Sequence, residues 1–447
     1  MRQIISAFET MRALCGQQAY SEQENYRSAS FSLTLPIRGG FILYHSLTGE
    51  MLTLTEEELQ ESRRDSALRK TLVQKRFLVP EAFDERAYTD QVRQVAELLE
   101  KKKGRIESFK IFTTTDCNAR CFYCYEMGRR RVPMSDETAH AAAAFISRES
   151  KGHRVTLDWF GGEPLFHQRP IEIITADLRE AGIEYVSAMI SNGYLFDRDT
   201  IEKARDAWRL QRVQITLDGT ERVYNQTKAY PDAEESPYRR VMRNISMLLD
   251  AGIKVRIRLN MHKNNAADLR ELIGELSHRF SGRRGFSVYL AFLQDAQGSH
   301  FHFDDMEALE AFRRLNDALL QAGLRKAKSL EPGIRINYCI ADDDASITIL
   351  PEGQLGKCEH FSESEFVGSI DSGVLDANLV ASWKEKIDRV RECGACPCYP
   401  RCNRLKKCVY YSRPCSELDR ALQLDELKER IYTSYARAAG AAESGPA

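Results

Sequence analysis

The stretch Thr115-Asp116-Cys117-Asn118-Ala119-Arg120-Cys121-Phe122-Tyr123-Cys124 decides the fold of this chain. The run from Ser108 to Thr115 leads into it and predicts a β-strand, and about two hundred residues without cysteine follow it. A tight loop with C-x3-C-x2-C spacing offers three thiolates to one metal centre. A structural zinc site normally has four ligands, whereas an iron–sulfur cluster held by three thiolates keeps one iron open for a reactive ligand. A zinc site, or three unrelated buried thiols, is the alternative that the spacing leaves open.

An aromatic residue, Tyr123, stands just before the last cysteine of this loop. The spacing with an aromatic residue at that position resembles the radical SAM superfamily. The resemblance implies a [4Fe-4S] cluster on Cys117, Cys121 and Cys124, whose open iron is chelated by S-adenosylmethionine (SAM). It also implies that reductive cleavage of SAM gives a 5′-deoxyadenosyl radical, and that Tyr123 belongs to the cofactor site.

Length and composition limit the class of protein. A chain of 447 residues predicts two or three domains. The net charge of −1 argues against nucleic-acid binding through a global basic field. No apolar run approaches the length that crosses a bilayer, and Met1 to Leu14 lacks the apolar core of a signal peptide. We therefore expect a cytoplasmic protein with neither nucleic acid nor membrane as a partner.

The twelve cysteines indicate metal binding, because disulfides are rare in a reducing compartment. Three form the loop described above, and eight lie between Cys339 and Cys415. Three and eight fit one open cluster and two fully ligated clusters, which makes three [4Fe-4S] clusters in all. Cys15 is left over, and we expect it to be a free thiol, buried or at the surface.

The first hundred residues predict a small β-rich module. Strands are expected at Phe31–Ile37, Phe41–His45 and Met51–Leu54, helices from Thr55 and over 64–75, an extended wing at 77–80 and a connecting helix over 84–103. This order resembles the winged-helix-like peptide-recognition element found in enzymes that modify ribosomally made peptides. The resemblance implies a leader-peptide recognition domain over residues 1–104, in which the leader adds a strand to the edge of the sheet.

From Ile111 onward, predicted strands and helices alternate, which is typical of a parallel α/β sheet or barrel. Strands are expected at 109–115, 154–160, 184–190, 211–217, 254–261 and 285–293, and helices at 135–150, 168–181, 198–208, 237–251, 266–279 and 304–323. Six units favour a partial (β/α)6 barrel over a complete eightfold one, and the radical SAM resemblance implies the same for residues 105–330. The cysteine loop follows the first strand, at the edge where such sheets collect active groups.

Further candidate residues follow the later strands. Gly161 and Gly162 allow the backbone to approach a ligand closely, and with Glu163 they resemble the segment that contacts the methionyl amine of SAM. Ser191, Asp218 and Asn260 end the third, fourth and fifth strands, and the resemblance makes them candidates for ribose or carboxylate contacts. Each is also an ordinary turn former or cap, so their shared position at strand ends is the stronger argument.

Residues 331–447 resemble the cysteine-rich SPASM domain, which carries two auxiliary clusters. The opening Cys339-x13-Gly353-x4-Cys358 and the run Cys393-x2-Cys396-x5-Cys402 match its pattern, whereas the next cysteine is Cys408 rather than position 406, and Cys398 is additional. The resemblance implies one cluster on Cys393, Cys396, Cys402 and Cys415, and another on Cys339, Cys358 and Cys408 with Cys398 as the fourth ligand. Without Cys398, the second cluster has an open iron for a substrate thiolate. A pair of zinc ribbons is the alternative.

Glu359 follows Cys358, and the resemblance gives a carboxylate at this position the role of accepting a proton from the substrate radical. Burial beside a cluster is expected to raise its pKa, which suits a general base. A solvated surface glutamate is the alternative.

Together the three parts resemble radical SAM/SPASM maturases of ribosomally synthesised and post-translationally modified peptides. The resemblance implies an enzyme that cross-links a precursor peptide, with a carbon–carbon bond favoured over a thioether, and an electron donor such as flavodoxin or ferredoxin. Two alternatives stay open. One is a protein-oxidising enzyme of the anaerobic sulfatase-maturing type. The other is a zinc-stabilised peptide-binding adaptor without activity.

Overall fold

The computed structural model describes residues 2–5, 15, 18–61, 66–99, 104–293, 304–331, 339–360 and 365–440. The chain forms two compact units. The first comprises Met1–Lys101, Ala327–Tyr338 and Lys386–Ala447, and the second comprises Lys102–Lys326 and Cys339–Glu385. Within the described ranges, no helix is both long and apolar enough to cross a membrane.

The first unit contains an antiparallel sheet of four strands. They are β1 (Arg2–Ile5), β3 (Ser32–Ile37), β4 (Gly40–His45) and β5 (Met51–Leu54), in the order β1-β5-β4-β3. A separate pair joins β2 (Tyr26–Ser28) to β6 (Leu78–Pro80), and the helices are α1 (Glu56–Glu61), α2 (Ser66–Gln74), α3 (Glu85–Leu99) and, at the C-terminal end, α12 (Glu417–Ala438). Strands β3, β4 and β5 lie where the sequence predicts strands, whereas β1 was not expected. Parts of the helices predicted over 64–75 and 84–103 lie outside the described residues.

Helix α12 packs on one face of this sheet. Its Leu427 and Ile431 are buried against Ile42, Tyr44 and Met51. Because successive strand residues point to opposite faces, Ile42 and Tyr44 share the face that the helix covers. The C-terminal helix therefore completes the core of the N-terminal sheet.

The second unit is built on a mixed sheet of ten strands. Its strands are β7 (Ser108–Thr114), β8 (Val155–Gly161), β9 (Tyr185–Ser191), β10 (Leu210–Leu217), β11 (Lys254–Met261), β12 (Phe286–Phe292), β13 (Ser346–Ile349), β14 (Gln354–Gly356), β15 (Gly368–Ser369) and β16 (Gly373–Val374). Strands β12 to β7 lie side by side in reverse chain order, all parallel, and β13 joins β7 in parallel before β14, β15 and β16 continue antiparallel. The predicted α/β fold with six parallel strands is confirmed.

Helices connect the parallel strands and cover one face of the sheet. They are α4 (Asp136–Ser150), α5 (Arg169–Glu180), α6 (Arg198–Asp206), α7 (Glu221–Lys228), α8 (Pro237–Asp250), α9 (Ala266–Phe280) and α10 (Asp305–Gln321), with the short α11 (Ala377–Ser382) after β16. For six of the first seven helices, both ends lie within about two residues of the predicted ends. Helix α7 was not predicted. Alternate strand residues such as Leu157, Val213 and Ile257 form the core with these helices. The residues between them point to the opposite face, which we call the inner face.

Candidate active site

The cysteine loop starts at the end of β7 and is hydrogen-bonded to the residues at the end of β8. The amide of Gly162 donates to the carbonyl of Thr114 at 3.0 Å, and the amide of Glu163 donates to that of Asp116 at 2.9 Å. A Cβ on Gly161 would lie 2.1 Å from the Thr114 oxygen, and one on Gly162 would lie 2.3 Å from the Asp116 oxygen. Gly161 also has a φ of +126°, which strongly favours glycine. The two glycines therefore let β8 pack directly against the base of the cysteine loop.

Glu163 joins three neighbouring segments. Its side chain is fully buried and accepts from Ser191 Oγ at 2.8 Å, from the amide of Asn192 at 2.7 Å and from the amide of Leu165 at 3.2 Å. Burial raises the pKa of Glu163 to about 7, although these hydrogen bonds lower it. The structure therefore brings the predicted site residues Glu163 and Ser191 together.

Asn192 extends this cluster to the cysteine loop. Its side-chain Nδ2 donates to Asn118 Oδ1 at 2.7 Å and lies 3.8 Å from the sulfur of Cys117. The ends of β8 and β9 thus hold the first half of the loop.

A second group forms around Asp218, which follows β10. Tyr123 Oη donates to Asp218 Oδ1 at 2.9 Å, and Asn260 Nδ2 donates to the same oxygen at 3.1 Å. All three side chains were predicted as cofactor contacts, and the structure places them together. The bond from Tyr123 attaches the second half of the cysteine loop to the ends of β10 and β11.

Lys228 is a member of this group that sequence reasoning missed. Its Nζ lies 3.1 Å from Asp218 Oδ2 as an ion pair, and it donates to Tyr123 Oη at 2.9 Å. Burial alone would lower the pKa of Lys228, but the Asp218 carboxylate, together with Cys121 and Tyr123, raises it well above its ordinary value. Lys228 ends the unexpected helix α7, where Ala229 takes a left-handed conformation. No pattern in the sequence distinguishes Lys228 from the other lysines and arginines, which number 64 in all.

The three thiols of the loop are close enough to influence one another. Burial raises the pKa of Cys117 to about 12, with smaller contributions from Glu163 and Cys121, and it also raises the pKa values of Cys121 and Cys124. Such thiols become thiolates when a metal centre supplies positive charge. Across the described parts of the chain, no three His, Cys, Asp or Glu side chains converge closely enough to hold a metal ion as they stand.

Buried polar atoms without partners surround the loop and fit a bound cofactor. Asn118 Nδ2 and Asn260 Oδ1 are buried and have no hydrogen-bond partner among the described residues. An unpaired buried polar atom is costly, so each site favours a ligand that supplies the missing partner. Cys117, Cys121 and Cys124 would hold the cluster, and Asn260 with Asp218 would face hydroxyl groups of SAM. The donor set fits the group.

Glu359 differs from expectation. Its carboxylate forms an ion pair with Lys110 Nζ at 3.1 Å. Burial is the largest single influence and acts to raise the pKa of Glu359, but Lys110, a backbone hydrogen bond and His360 together outweigh it, and the pKa is lowered. The expected raised pKa is therefore wrong, because the inner face supplies a cation that the sequence did not link to this residue. Next to it, the His360 ring lies 4.2 Å from the ring of Tyr125, one residue after the loop.

The remaining cysteines fall into two places. Cys339 and Cys358 lie in the second unit on either side of the hairpin β13–β14. Burial raises the pKa of both thiols, to about 12 for Cys358, and the carboxylate of Glu359 adds to the rise. The other six lie in the first unit: Cys393, Cys396, Cys398, Cys402, Cys408 and Cys415.

Cys398 lies among residues of the first predicted auxiliary set. Its sulfur is hydrogen-bonded with that of Cys396, and the proximity of Cys396, Cys402 and Cys415 contributes to its raised pKa, after that hydrogen bond and burial. The same bond lowers the pKa of Cys396 to about 6. The assignment of Cys398, Cys408 and the other cysteines to particular clusters stays a prediction.

Cys15 is a buried thiol in the first unit. It packs with Leu47, Val92 and Tyr88, and its carbonyl accepts from Tyr88 Oη at 2.7 Å. It serves packing, as expected for the cysteine that the clusters leave over.

Comparison with known proteins supports a radical SAM domain in the second unit. Residues 111–276 match the family model of the Radical SAM superfamily. Domains of this superfamily bind a [4Fe-4S] cluster and SAM. The match runs from the middle of β7 through most of α9, which includes the cysteine loop and every residue of the two groups described above.

Curated sequence relatives of this chain are named as GTP 3′,8-cyclases. The chain is 30% identical over 214 residues to the GTP 3′,8-cyclase of Rhodopirellula baltica, which covers 46% of this chain and 55% of that protein. It is 30% identical over 125 residues to a probable GTP 3′,8-cyclase of Methanococcus maripaludis, covering 27% of this chain and 39% of that protein. The chain thus spans about half or less of the length of these curated relatives.

Among solved structures, native anSMEcpe with bound AdoMet superposes with a TM-score of 0.58 at 15% identity, over 74% of this chain and 98% of that one. At such identity the likeness concerns the fold alone, and it supports the α/β radical SAM fold.

Proposed function

We propose that this chain is a radical SAM peptide maturase that installs an intramolecular cross-link in a ribosomally made precursor peptide. A carbon–carbon bond is favoured over a thioether, because eight C-terminal cysteines suffice to saturate two auxiliary clusters and leave no iron for a substrate thiol. When bound, SAM and its cluster supply hydrogen-atom abstraction, and the auxiliary clusters supply an electron acceptor.

One observation supports the peptide substrate: strand β5 pairs on its outer side with the short edge strand β1. Strand β1 runs antiparallel to β5, with Arg2 opposite Thr53 and Gln3 opposite Leu52. A sheet edge that accepts one extended segment presents the hydrogen-bonding groups that a leader peptide needs for strand addition. The leader would replace β1 on this edge.

Residues of the second unit take defined parts in the proposed reaction. Tyr123, Asp218 and Asn260 orient the cofactor through their shared hydrogen bonds. The carboxylate of Glu359 is kept ionised by Lys110 and accepts, at Oε, the proton that leaves the substrate when the cross-link forms. Each cross-link then removes two hydrogens: one as an atom and one as a proton plus an electron.

The experiment is anaerobic incubation of the full chain with SAM, a reductant and the small precursor peptide encoded beside the gene. We expect a mass loss of two hydrogens per cross-link, and fragmentation locates the bond. The triple variant Cys117→Ala/Cys121→Ala/Cys124→Ala is the inactive control. Unchanged peptide alongside freely formed 5′-deoxyadenosine would contradict the substrate assignment.

GTP in a parallel incubation tests the second candidate function, which the sequence likeness to GTP 3′,8-cyclases favours. Formation of a cyclised nucleotide would replace the peptide proposal. Iron and sulfide analysis addresses the adaptor alternative, because zinc without sulfide would exclude a radical enzyme. Oxidation of a single residue without a cross-link would indicate the sulfatase-maturing type.

A further inference from the structure

The inner face of the parallel sheet carries a group of basic side chains. Strand parity places Lys110 on β7, Arg212 on β10, and Arg256 and Arg258 on β11 on the face opposite the helices. The solvent-exposed Lys254 precedes them at the start of β11.

Two carboxylates among the described residues lie beside these four cations. Asp158 lies opposite Lys110 in the β7–β8 register, and both Lys110 and Arg212 act to lower its pKa against the effect of burial. Glu359 takes the ion pair with Lys110. The described residues therefore place more cations than carboxylates on this face.

The excess is concentrated on β11. Neither Arg256 nor Arg258 forms an ion pair with any residue that the structure describes. The guanidinium of Arg256 stacks 4.2 Å above the ring of Tyr289, whose hydroxyl is held by Gln214 Oε1 at 2.9 Å. This stacking fixes the plane of the guanidinium and leaves its edge available for a bidentate partner.

Arg258 provides the second sign of a missing ligand. Its Nε is buried and has no hydrogen-bond partner within the described ranges. A desolvated guanidinium nitrogen without a partner is unfavourable unless an anion completes the site.

The position of Arg258 relates this site to the proposed chemistry. Arg258 stands two residues before Asn260 on the same face of β11, a separation of about 7 Å along a strand. Asn260 belongs to the group that holds Tyr123 of the cysteine loop. Side chains on one face of an extended peptide have the same spacing of about 7 Å.

We propose that Arg256 and Arg258 bind the carboxylate of an acidic side chain in the substrate peptide, close in sequence to the residue that is cross-linked. This inference rests on the proposed function. The two oxygens of a carboxylate match the planar, bidentate donor geometry of a guanidinium group.

Direct binding tests the inference without turnover. The probe is a short fluorescein-labelled peptide of alternating glutamate and alanine, compared with its glutamine counterpart, on the anaerobically purified full chain. We expect the glutamate peptide to bind more tightly, and Arg256→Gln/Arg258→Gln to weaken it by about tenfold or more. The variant Arg258→Lys keeps the charge but loses the planar fork, so an intermediate loss is expected.

The matched control is Arg198→Gln/Arg222→Gln, which removes two exposed cations from helices α6 and α7. An equal loss of binding in this control would mean that the overall charge of the protein, and not Arg256 and Arg258 in particular, causes the binding. That result would overturn the inference. Undiminished binding by Arg256→Gln/Arg258→Gln, with a melting temperature like that of the wild type, would also overturn it.

Inorganic triphosphate and GTP serve as competitors in the same assay. GTP could bind in a way that requires Arg256 and Arg258 while the glutamate peptide does not bind. That result would overturn the inference, because the ligand of this site would be a nucleotide and not a peptide. Because this assay measures binding alone, loss of its signal is distinguishable from a precursor peptide that binds but is not modified.

Discussion

The hydroxyl of Ser191 donates a 2.8 Å hydrogen bond to the buried carboxylate of Glu163, and this bond joins the end of β9 to the end of β8. The same carboxylate accepts from the amide of Asn192, whose side chain reaches Asn118 in the cysteine loop. One buried carboxylate therefore connects the ends of β8 and β9 and, through Asn192, the cysteine loop, which makes its protonation a test of this part of the site.

The stability of the metal-free chain should depend on pH through Glu163. Its pKa rises from 4.5 to about 7 on folding, so its contribution is fully present below about pH 4.5 and is lost as pH rises through 7. The variant Glu163→Gln lacks this ionisation. In urea unfolding, the free energy of unfolding of the wild type minus that of the variant should fall by about 1–3 kcal/mol from about pH 5 to about pH 8. A difference that stays constant would contradict the assignment.

Gly162→Ala should disrupt the base of the cysteine loop, because the added Cβ would lie 2.3 Å from the carbonyl oxygen of Asp116. We expect the free energy of unfolding to fall by about 1–3 kcal/mol and the iron content after anaerobic reconstitution to be lower. Gly274→Ala, in helix α9 with no atom within 4 Å of its Cβ position, is the control and should stabilise by about 0.5–1 kcal/mol. Similar effects of both variants would argue against the close approach.

The ion pair between Lys228 and Asp218 should show strong coupling in a double-mutant cycle. Either Lys228→Met or Asp218→Asn leaves one buried partner alone, which costs about 3–5 kcal/mol. The double variant should be destabilised by clearly less than the sum, measured by urea unfolding of the metal-free chain. Simple additivity would show that the two groups act independently.

Replacing Cys117, Cys121 and Cys124 together by alanine should remove one cluster, about four irons per chain, and abolish SAM cleavage. Cys15→Ala is the matched control, since this thiol packs against Leu47, Val92 and Tyr88 and is not one of the predicted ligands. Unchanged iron in the triple variant would sink the cluster assignment.

Deleting the segment Arg2–Ile5 should free the edge of β5 and tighten binding of the leader part of the precursor peptide. Fluorescence anisotropy with a labelled leader measures this, and we expect a severalfold lower Kd. Weaker binding after the deletion would mean that the leader adds elsewhere on the module.

Several features of the site could be predicted because they depend on local order. The spacing of Cys117, Cys121 and Cys124, and the candidates at strand ends, follow from the rule that parallel strands present their carboxyl ends at one edge. Glu163 with Ser191, and Tyr123 with Asp218 and Asn260, do meet there.

Two contacts escaped prediction because they join distant segments. Lys228 ends a helix that no strong periodic pattern marked, and its partner Asp218 belongs to a different element. Glu359 lies next to Lys110 only because β13 adds to β7 and carries the following segment over the inner face. That contact reversed the expected direction of the pKa shift.

By itself, the sequence determined the alternation of strands and helices and the cysteine loop at the end of the first strand, since hydrophobic periodicity and ligand spacing are local properties. Only the tertiary structure decided which charges meet. The ionisation of Glu163 and Glu359, the burial of Lys228 and the excess of cations around Arg258 all depend on neighbours brought together by folding. Electrostatic energies change with distance and solvation, and a linear sequence records neither.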